Sequence, residues 1–500
     1  MSSAQPQGTL FGHPKGLFLL FTTELWERFS YYAMRGILVF YLTAEVSQSG
    51  LGWTAADALS LYGTFTALVY LTPLLGGWVA DNYLGQRKTI MIGGALMAIG
   101  QFLIAAPHSW VPGHEITVFY LGLGSLILGN GLFKPNISTM VGDLYQEGDH
   151  RRDGAFTIFY MGINVGAALA GFVVAWAYTK FGYEMVVDGE TVFVENWQAG
   201  FAAAGVGMVV SLIIQFLFAK KYLGDIGTIP AAKLSAAQSQ TQSKEPLTKV
   251  ERDRIKTIMV LGLFTIIFWA GFEQAGGLMN LFTNEFTDRS TTGWFSDFLV
   301  WLTGYAEVPT TWFQSLNAMF IVIFAPVVAS IWVRLGKNEP NSPVKFALGL
   351  VLLAIGYLFM IGAVLEMGGD ATAKSSMWWL VGAYFFHTMG ELCLSPIGLS
   401  MVTKLAPLRI MSLMMGAWFL FIAAANKIGG IVGSFIGHGG AKEEQLANAM
   451  GIFAGIAITS VAAGVILYFM ADKLVDWMHG AEDKGHHVEE SKEELVQKQA

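Results

Sequence analysis

Long apolar stretches alternate with short polar ones along the whole chain. Twelve stretches, near 15–43, 57–80, 88–107, 116–141, 155–179, 198–221, 255–283, 311–333, 344–367, 377–405, 411–437 and 446–472, approach or exceed the roughly 20 residues that cross a bilayer core about 30 Å thick. Each predicts a transmembrane helix. Several contain Gly or Pro, which spanning helices tolerate better than soluble ones. The only long polar connector, 222–254, is rich in Ala, Ser and Gln and splits the twelve into six and six. The expected organisation is an N-terminal segment 1–14, a six-helix bundle 15–221, a linker 222–254, a second bundle 255–472 and a charged tail 473–500. The fold class expected is therefore all-α membrane protein.

Composition agrees. Hydrophobic residues make up 54% of the chain and charged ones 13%, against about a quarter charged in soluble proteins. The single cysteine, Cys393, excludes an internal disulfide and argues against a thiolate metal site. Met1–His13 is polar and lacks a small-residue cleavage site, so the first apolar stretch is expected to remain as a span. With the N-terminus placed in the cytoplasm, 22 of the 30 Lys and Arg fall in cytoplasmic segments. Only Lys180, Arg289, Lys374 and Lys442 fall opposite, while Arg28, Arg35, Lys134 and Lys427 lie inside spans. This asymmetry predicts both termini inside a bacterial-type inner (plasma) membrane. The halves echo each other: Pro73 precedes Leu84–Gly85, and Pro326 precedes Leu335–Gly336. Six spans, a basic linker and six more fit the parallel-repeat plan of major facilitator transporters. The pair His486–His487 in the tail could hold a metal adventitiously, but a plain solvated tail is the better reading, and no resident metal is expected.

Charges inside spans carry the functional signal, because each costs about 2.5–3.5 kcal/mol at mid-bilayer on insertion scales. In the first span, Glu24, Arg28, Tyr31 and Arg35 are spaced by four, three and four, which places them on one helical face with Glu27 beside Arg28. A self-neutralising packing ladder is one reading. A proton site, in which occupancy of the arginine alters the neighbouring carboxylate, accounts better for two acids and two bases in one helix. Lys134, Glu273 and Glu391 sit alone in the fourth, seventh and tenth spans, so their partners must come from other helices. Lys427 reads as a structural residue reaching the interface, and His387 as a packing histidine. The first half thus supplies surplus positive groups and the second half surplus carboxylates. A central cavity with walls of opposite sign suits a zwitterion, and two extended residues span at most about 7 Å. Tyr31, Tyr32, Tyr70, Trp269 and Trp418 are candidate side-chain pocket residues.

The motifs resemble those of the proton-dependent oligopeptide transporters. Glu24-Leu25-Trp26-Glu27-Arg28-Phe29-Ser30-Tyr31-Tyr32 resembles the family's ExxERFxYY motif, and Phe159-Tyr160-Met161-Gly162-Ile163-Asn164-Val165-Gly166 its FYxxINxG signature. The segments 76–87, 129–136 and 313–317 are also similar to family segments, so the likeness extends over nearly the whole chain. The resemblance implies that Glu24, Glu27 and Arg28 couple the proton. It implies that Arg28, Tyr32 and Lys134 face a peptide carboxylate, while Asn164, Asn317 and Glu391 face its amino end. Arg35 with Glu273 would close the periplasmic gate, Lys134 with Glu391 would draw the fourth and tenth helices together, and Tyr70 and Trp418 would be pocket residues. Many bacterial members insert two further helices between the halves, for which segment 222–254 leaves no room.

The expected function is proton-coupled import of di- and tripeptides by alternating access, with the proton as coupling ion and no other cofactor. Expected partners are the peptide and membrane lipid, without nucleic acid, and the oligomeric state is open. No phosphate loop of the GxxxxGK[ST] kind is present, which argues against ATP coupling, and no enzymatic step is required. Rival readings are symport of another small solute, such as nitrate or a modified amino acid, and a non-transporting receptor on the same scaffold. The connection 284–310, with Trp294, Phe295 and Trp301, is unusually apolar. A place on the membrane surface and a role as a cap over the cavity are both open to it.

Overall fold

The computed structural model describes residues 8–146, 149, 151–187, 190–230, 246–304, 306–407, 410–437 and 441–481. His486–His487, Arg409 and most of the linker lie outside the described residues. Twelve long helical segments follow the twelve apolar stretches. In chain order they are α1 (Lys15–Thr43), α2 (Ala55–Leu84), α3 (Gln86–Ile104), α4 (Glu115–Asp143), α5 (Arg151–Lys180), α6 (Trp197–Leu223), α7 (Lys249–Phe286), α8 (Thr310–Leu335), α9 (Ser342–Glu366), α10 (Met377–Leu405), α11 (Met411–Ser434) and α12 (Lys442–Met478). Among the described residues, ten are long and apolar enough to cross a membrane by composition alone. The other two, α1 and α10, hold Glu24, Glu27, Arg28, Arg35 and Glu391.

Local sequence sets the ends. Thr248 and Glu251 form a reciprocal capping box at the start of α7, and the Asn341 side chain caps α9 with Pro343 just inside. α2 is interrupted at Thr72–Pro73, where proline lacks the donor needed to continue the helix regularly. α7 is also interrupted, which the reading of 255–283 as one span did not predict. Its first part ends at Phe272, a tight turn covers Glu273–Gly276, and Leu278–Phe286 resumes. Between α5 and α6, Tyr183–Val187 pairs antiparallel with Glu190–Val194.

In the first half α1 packs against α5 and α6, and α3 against α4 and α6. In the second half α9 packs against α10 and α12, and α7 against α11 and α12. Two broad contacts join the halves, α2 with α11 and α5 with α8. At the first, Gly63 meets Gly430 so closely that a Cβ on Gly63 would lie 2.5 Å from the Gly430 Cα. Here close backbone approach replaces side-chain interdigitation. Gly63→Val is therefore expected to lower stability by about 1–3 kcal/mol through overpacking. Gly124→Ala, where a Cβ meets nothing within 4 Å, should leave thermal unfolding of the purified protein unchanged.

Candidate functional site

Helix α1 runs through the middle of the first half, and its charges are buried rather than wetted at a surface. Arg28 is the hub. Its Nε lies 3.3 Å from Glu24 Oε1, its Nη2 donates to Glu27 Oε1 at 2.7 Å, and its guanidinium stands 5.2 Å from the Tyr31 ring centroid. Asn130 of α4 also donates to Glu27 Oε1, at 3.2 Å. Glu27 is thereby doubly tied, whereas Glu24 Oε2 has no hydrogen-bond partner among the described residues. Glu24, not Glu27, faces the cavity. Two carboxylates three residues apart thus share one guanidinium, one fixed and one free to exchange partners.

The cavity, of about 290 Å³, lies between the halves. Glu24, Arg28, Tyr32, Tyr70, Lys134, Tyr160 and Asn164 line it from the first half, and Trp269, Phe272, Gln314, Asn317, Tyr384, His387 and Glu391 from the second. The Lys134 ammonium stands 4.3 Å from the Tyr70 ring centroid, where the ring face offsets part of the lost hydration. Glu391 accepts a hydrogen bond from Asn317 Nδ2 at 2.8 Å, and the same amide donates to Thr388 Oγ1 at 3.1 Å. Among the described residues no ion pair links Lys134 with Glu391, although both stand on the wall of this one cavity.

The other cross-half pair is closed. Arg35 of α1 forms an ion pair with Glu273 of α7 and donates through Nε to the Tyr62 hydroxyl of α2. The break in α7 makes room for it: a Cβ on Gly276 would fall 2.1 Å from the Tyr62 oxygen and 2.9 Å from Arg35 Nε. Next to the pair, the Gly36 carbonyl accepts from Asn280 Nδ2 (3.0 Å) and Gln314 Nε2 (3.1 Å), both from the second half. Thr311 Oγ1 donates to Gly171 O at 3.0 Å, and Lys427 Nζ donates to Thr64 Oγ1 at 2.6 Å. Every one of these contacts lies toward the ends of the helices remote from the linker. The cavity is therefore sealed at that end, while the Lys134 and Glu391 side chains remain apart from each other.

The structure brings Glu24, Arg28, Tyr32, Arg35, Tyr70, Lys134, Asn164, Glu273, Asn317 and Glu391 around one cavity. Glu27, Tyr31 and Trp418 sit behind its wall: Tyr31 is buried under Arg28, and Trp418 is buried beside Gly398 and Phe346. Lys427 ends on Thr64 of the opposite half rather than at the membrane interface. Sequence reasoning passed over Tyr160, Gln314, Tyr384 and the cavity position of His387. Tyr384, His387, Glu391 and Ser395 follow the three- and four-residue spacing of one helical face, so the position of Glu391 alone pointed to them.

Comparison with known proteins places this geometry. The model of the POT family matches residues 87–230 and 221–446. Peptide transporter YePEPT of Yersinia enterocolitica is 34% identical, over 94% of this chain and 96% of that protein. A di-/tripeptide transporter of Lactococcus lactis is 31% identical, over 94% and 97%. A crystal structure of peptide transporter POT in complex with sulfate superposes with a TM-score of 0.81 at 34% identity, covering 95% of this chain and 98% of that one.

The buried pair of the sealed end gives a direct test. Glu273→Gln leaves Arg35 without its counter-charge, and breaking a buried pair from one side is expected to cost about 3–5 kcal/mol. The double variant Arg35→Met/Glu273→Leu leaves no orphaned charge. Thermal unfolding should therefore show a smaller loss for the double variant than for Glu273→Gln.

Proposed function

The chain belongs to the POT family, and on that premise we propose that it imports di- and tripeptides together with protons by alternating access. The observation that carries the reading is the cavity between the halves, with Lys134 on one wall and Glu391 on the other, neither held in an ion pair among the described residues. A peptide zwitterion supplies a carboxylate for the first and an ammonium for the second. Arg28, Tyr32 and Lys134 receive the carboxylate; Asn164, Asn317 and Glu391 receive the amino end. Tyr70 borders the side-chain space, which Tyr31 and Trp418 back from behind the wall. Glu391 disfavours a simple anion such as nitrate, since its carboxylate would repel it.

Coupling follows from the shared guanidinium. A peptide carboxylate at Arg28 competes with Glu24 for the same positive charge. A carboxylate that loses its counter-charge in a low-dielectric cavity takes up a proton instead. Glu27 keeps Arg28 oriented throughout, because Asn130 fixes it from α4. Movement of the bound proton down a 100 mV potential releases about 2.3 kcal/mol per charge. The proton is the only coupling species this scheme needs.

The chain is a multi-pass membrane protein, and the distribution of Lys and Arg supports an inner-membrane orientation with both termini cytoplasmic. The sealed end is then periplasmic and the cavity communicates with the cytoplasm. In the opposite arrangement Arg35 and Glu273 part, and Lys134 and Glu391 come together to close the cytoplasmic side.

Liposomes with an imposed inward proton gradient should accumulate labelled dialanine. Failure across a panel of di- and tripeptides would remove the peptide reading. For the second gate, Lys134→Glu and Glu391→Lys should each abolish gradient-driven uptake. The swapped double variant should recover part of it if the two side chains pair, and none if each serves only as a ligand.

A further inference from the structure

The connection from α7 to α8 is the apolar segment that transport leaves unused. It departs and returns through a clasp. Thr291 N donates to Ala306 O at 3.1 Å, Val308 N donates to Arg289 O at 2.9 Å, and Arg289 Nη2 lies 3.1 Å from Glu307 Oε2. Between the arms stands a ten-residue helix, Trp294–Thr303. Gly293 (φ +69°) and Gly304 (φ +87°) bound it, both in the left-handed region that glycine adopts without strain. The chain therefore turns sharply at each end and sets the helix apart from the spans.

One face of this helix is docked on the protein: Leu299 is completely buried, Thr303 is buried, and the helix packs against α5. The opposite face is bare. Trp294 is 80% exposed and Trp301 is 79% exposed, with Phe298 between them. Spacings of four and three put the three rings on one stripe. The Phe298 centroid lies 6.1 Å from that of Trp301, so they form a continuous aromatic surface. Asp297 is exposed at the border of the stripe, about 60° around the helix axis from Trp294.

Aromatic side chains of this size bury about 150–250 Å² each when covered. Left in water, three bare rings would forgo that burial, so the face needs an apolar surrounding. It does not cap the central cavity, because no residue of the helix lines that cavity. Its place between the ends of two spans is the depth at which tryptophan concentrates in membrane proteins. With its other face held on the protein, the outward apolar arc is free to meet the bilayer interface, and Asp297 marks its border. We propose that Trp294–Thr303 is an interfacial anchor whose Trp294–Phe298–Trp301 face is embedded among lipid headgroups and upper acyl chains at the sealed end. It is tethered to the second part of α7, so it holds in the membrane plane the helix whose Glu273 closes on Arg35.

Spin labels provide the test. In a Cys393→Ala chain reconstituted into liposomes, single cysteines at 294, 298 and 301 should collide more with oxygen than with a water-soluble nickel complex. A cysteine at 297 should show the reverse order. Preference for the nickel complex at all four positions would make the helix a water-exposed cap, and protection from both reagents would mean that protein, such as a second copy of the chain, covers it. Either outcome overturns the proposal. A second reading keeps the helix aromatic: Trp294→Phe/Trp301→Phe should lower the share of tryptophan emission quenched by lipid brominated near the headgroup. An unchanged share would contradict the anchor.

Discussion

A guanidinium inside a membrane protein needs a carboxylate beside it, and for Arg35 that carboxylate belongs to the other half of the molecule. The Arg35–Glu273 pair, with Tyr62 as third member, lies where α1, α2 and α7 converge. The two amides on the Gly36 carbonyl and the Gly63–Gly430 approach gather around the same end. Desolvation makes such a pair expensive to break from one side, because the remaining charge is left buried without a partner. In the cycle proposed above, Lys134 and Glu391 would be the second such pair. In the proposed cycle the two pairs form in turn, which is the bistability that alternating access requires.

The α1 cluster works by the same rule within one half. Arg28 is shared between a carboxylate held by Asn130 and one that looks into the cavity. In the proposed scheme a third anion arriving at Arg28 competes with the two carboxylates for the same positive charge. Glu24, with one oxygen already free of hydrogen-bond partners among the described residues, is the group that yields in the proposed scheme. The separation of duties between Glu24 and Glu27 is set by α4 rather than by α1, and that explains why one helix carries two acids so close together.

Much of this was legible in the sequence, because a membrane penalises every misplaced charge. Twelve apolar stretches gave twelve helices, the charge stripe of α1 stood out within one of them, and Lys134, Glu273 and Glu391 stood out as charges alone in their spans. What the sequence hid were features decided by contact between helices. The break in α7 follows Glu273-Gln274 and the pair Gly276–Gly277, a local break signal inside a span-length stretch, and Gly276 is where Tyr62 and Arg35 crowd the backbone. Tyr31 and Tyr32 are neighbours in one motif, yet a 100° turn of helix puts one behind the wall and the other on it. Trp418 is buried against Gly398, a contact between α10 and α11 that no periodicity reveals. The hairpin Tyr183–Val187/Glu190–Val194 was readable from its β-prone residues around Asp188–Gly189, but it was masked by the search for spans.

The central claim is that Glu24 ties proton movement to peptide movement by competing for Arg28. Peptide-evoked current on a solid-supported membrane, read beside counterflow exchange of labelled dialanine, tests it most directly. The account predicts a current from the native protein and none from Glu24→Gln, with exchange preserved in both. Loss of exchange together with current would show that Glu24 binds substrate or supports the fold. An undiminished current in Glu24→Gln would place the proton elsewhere.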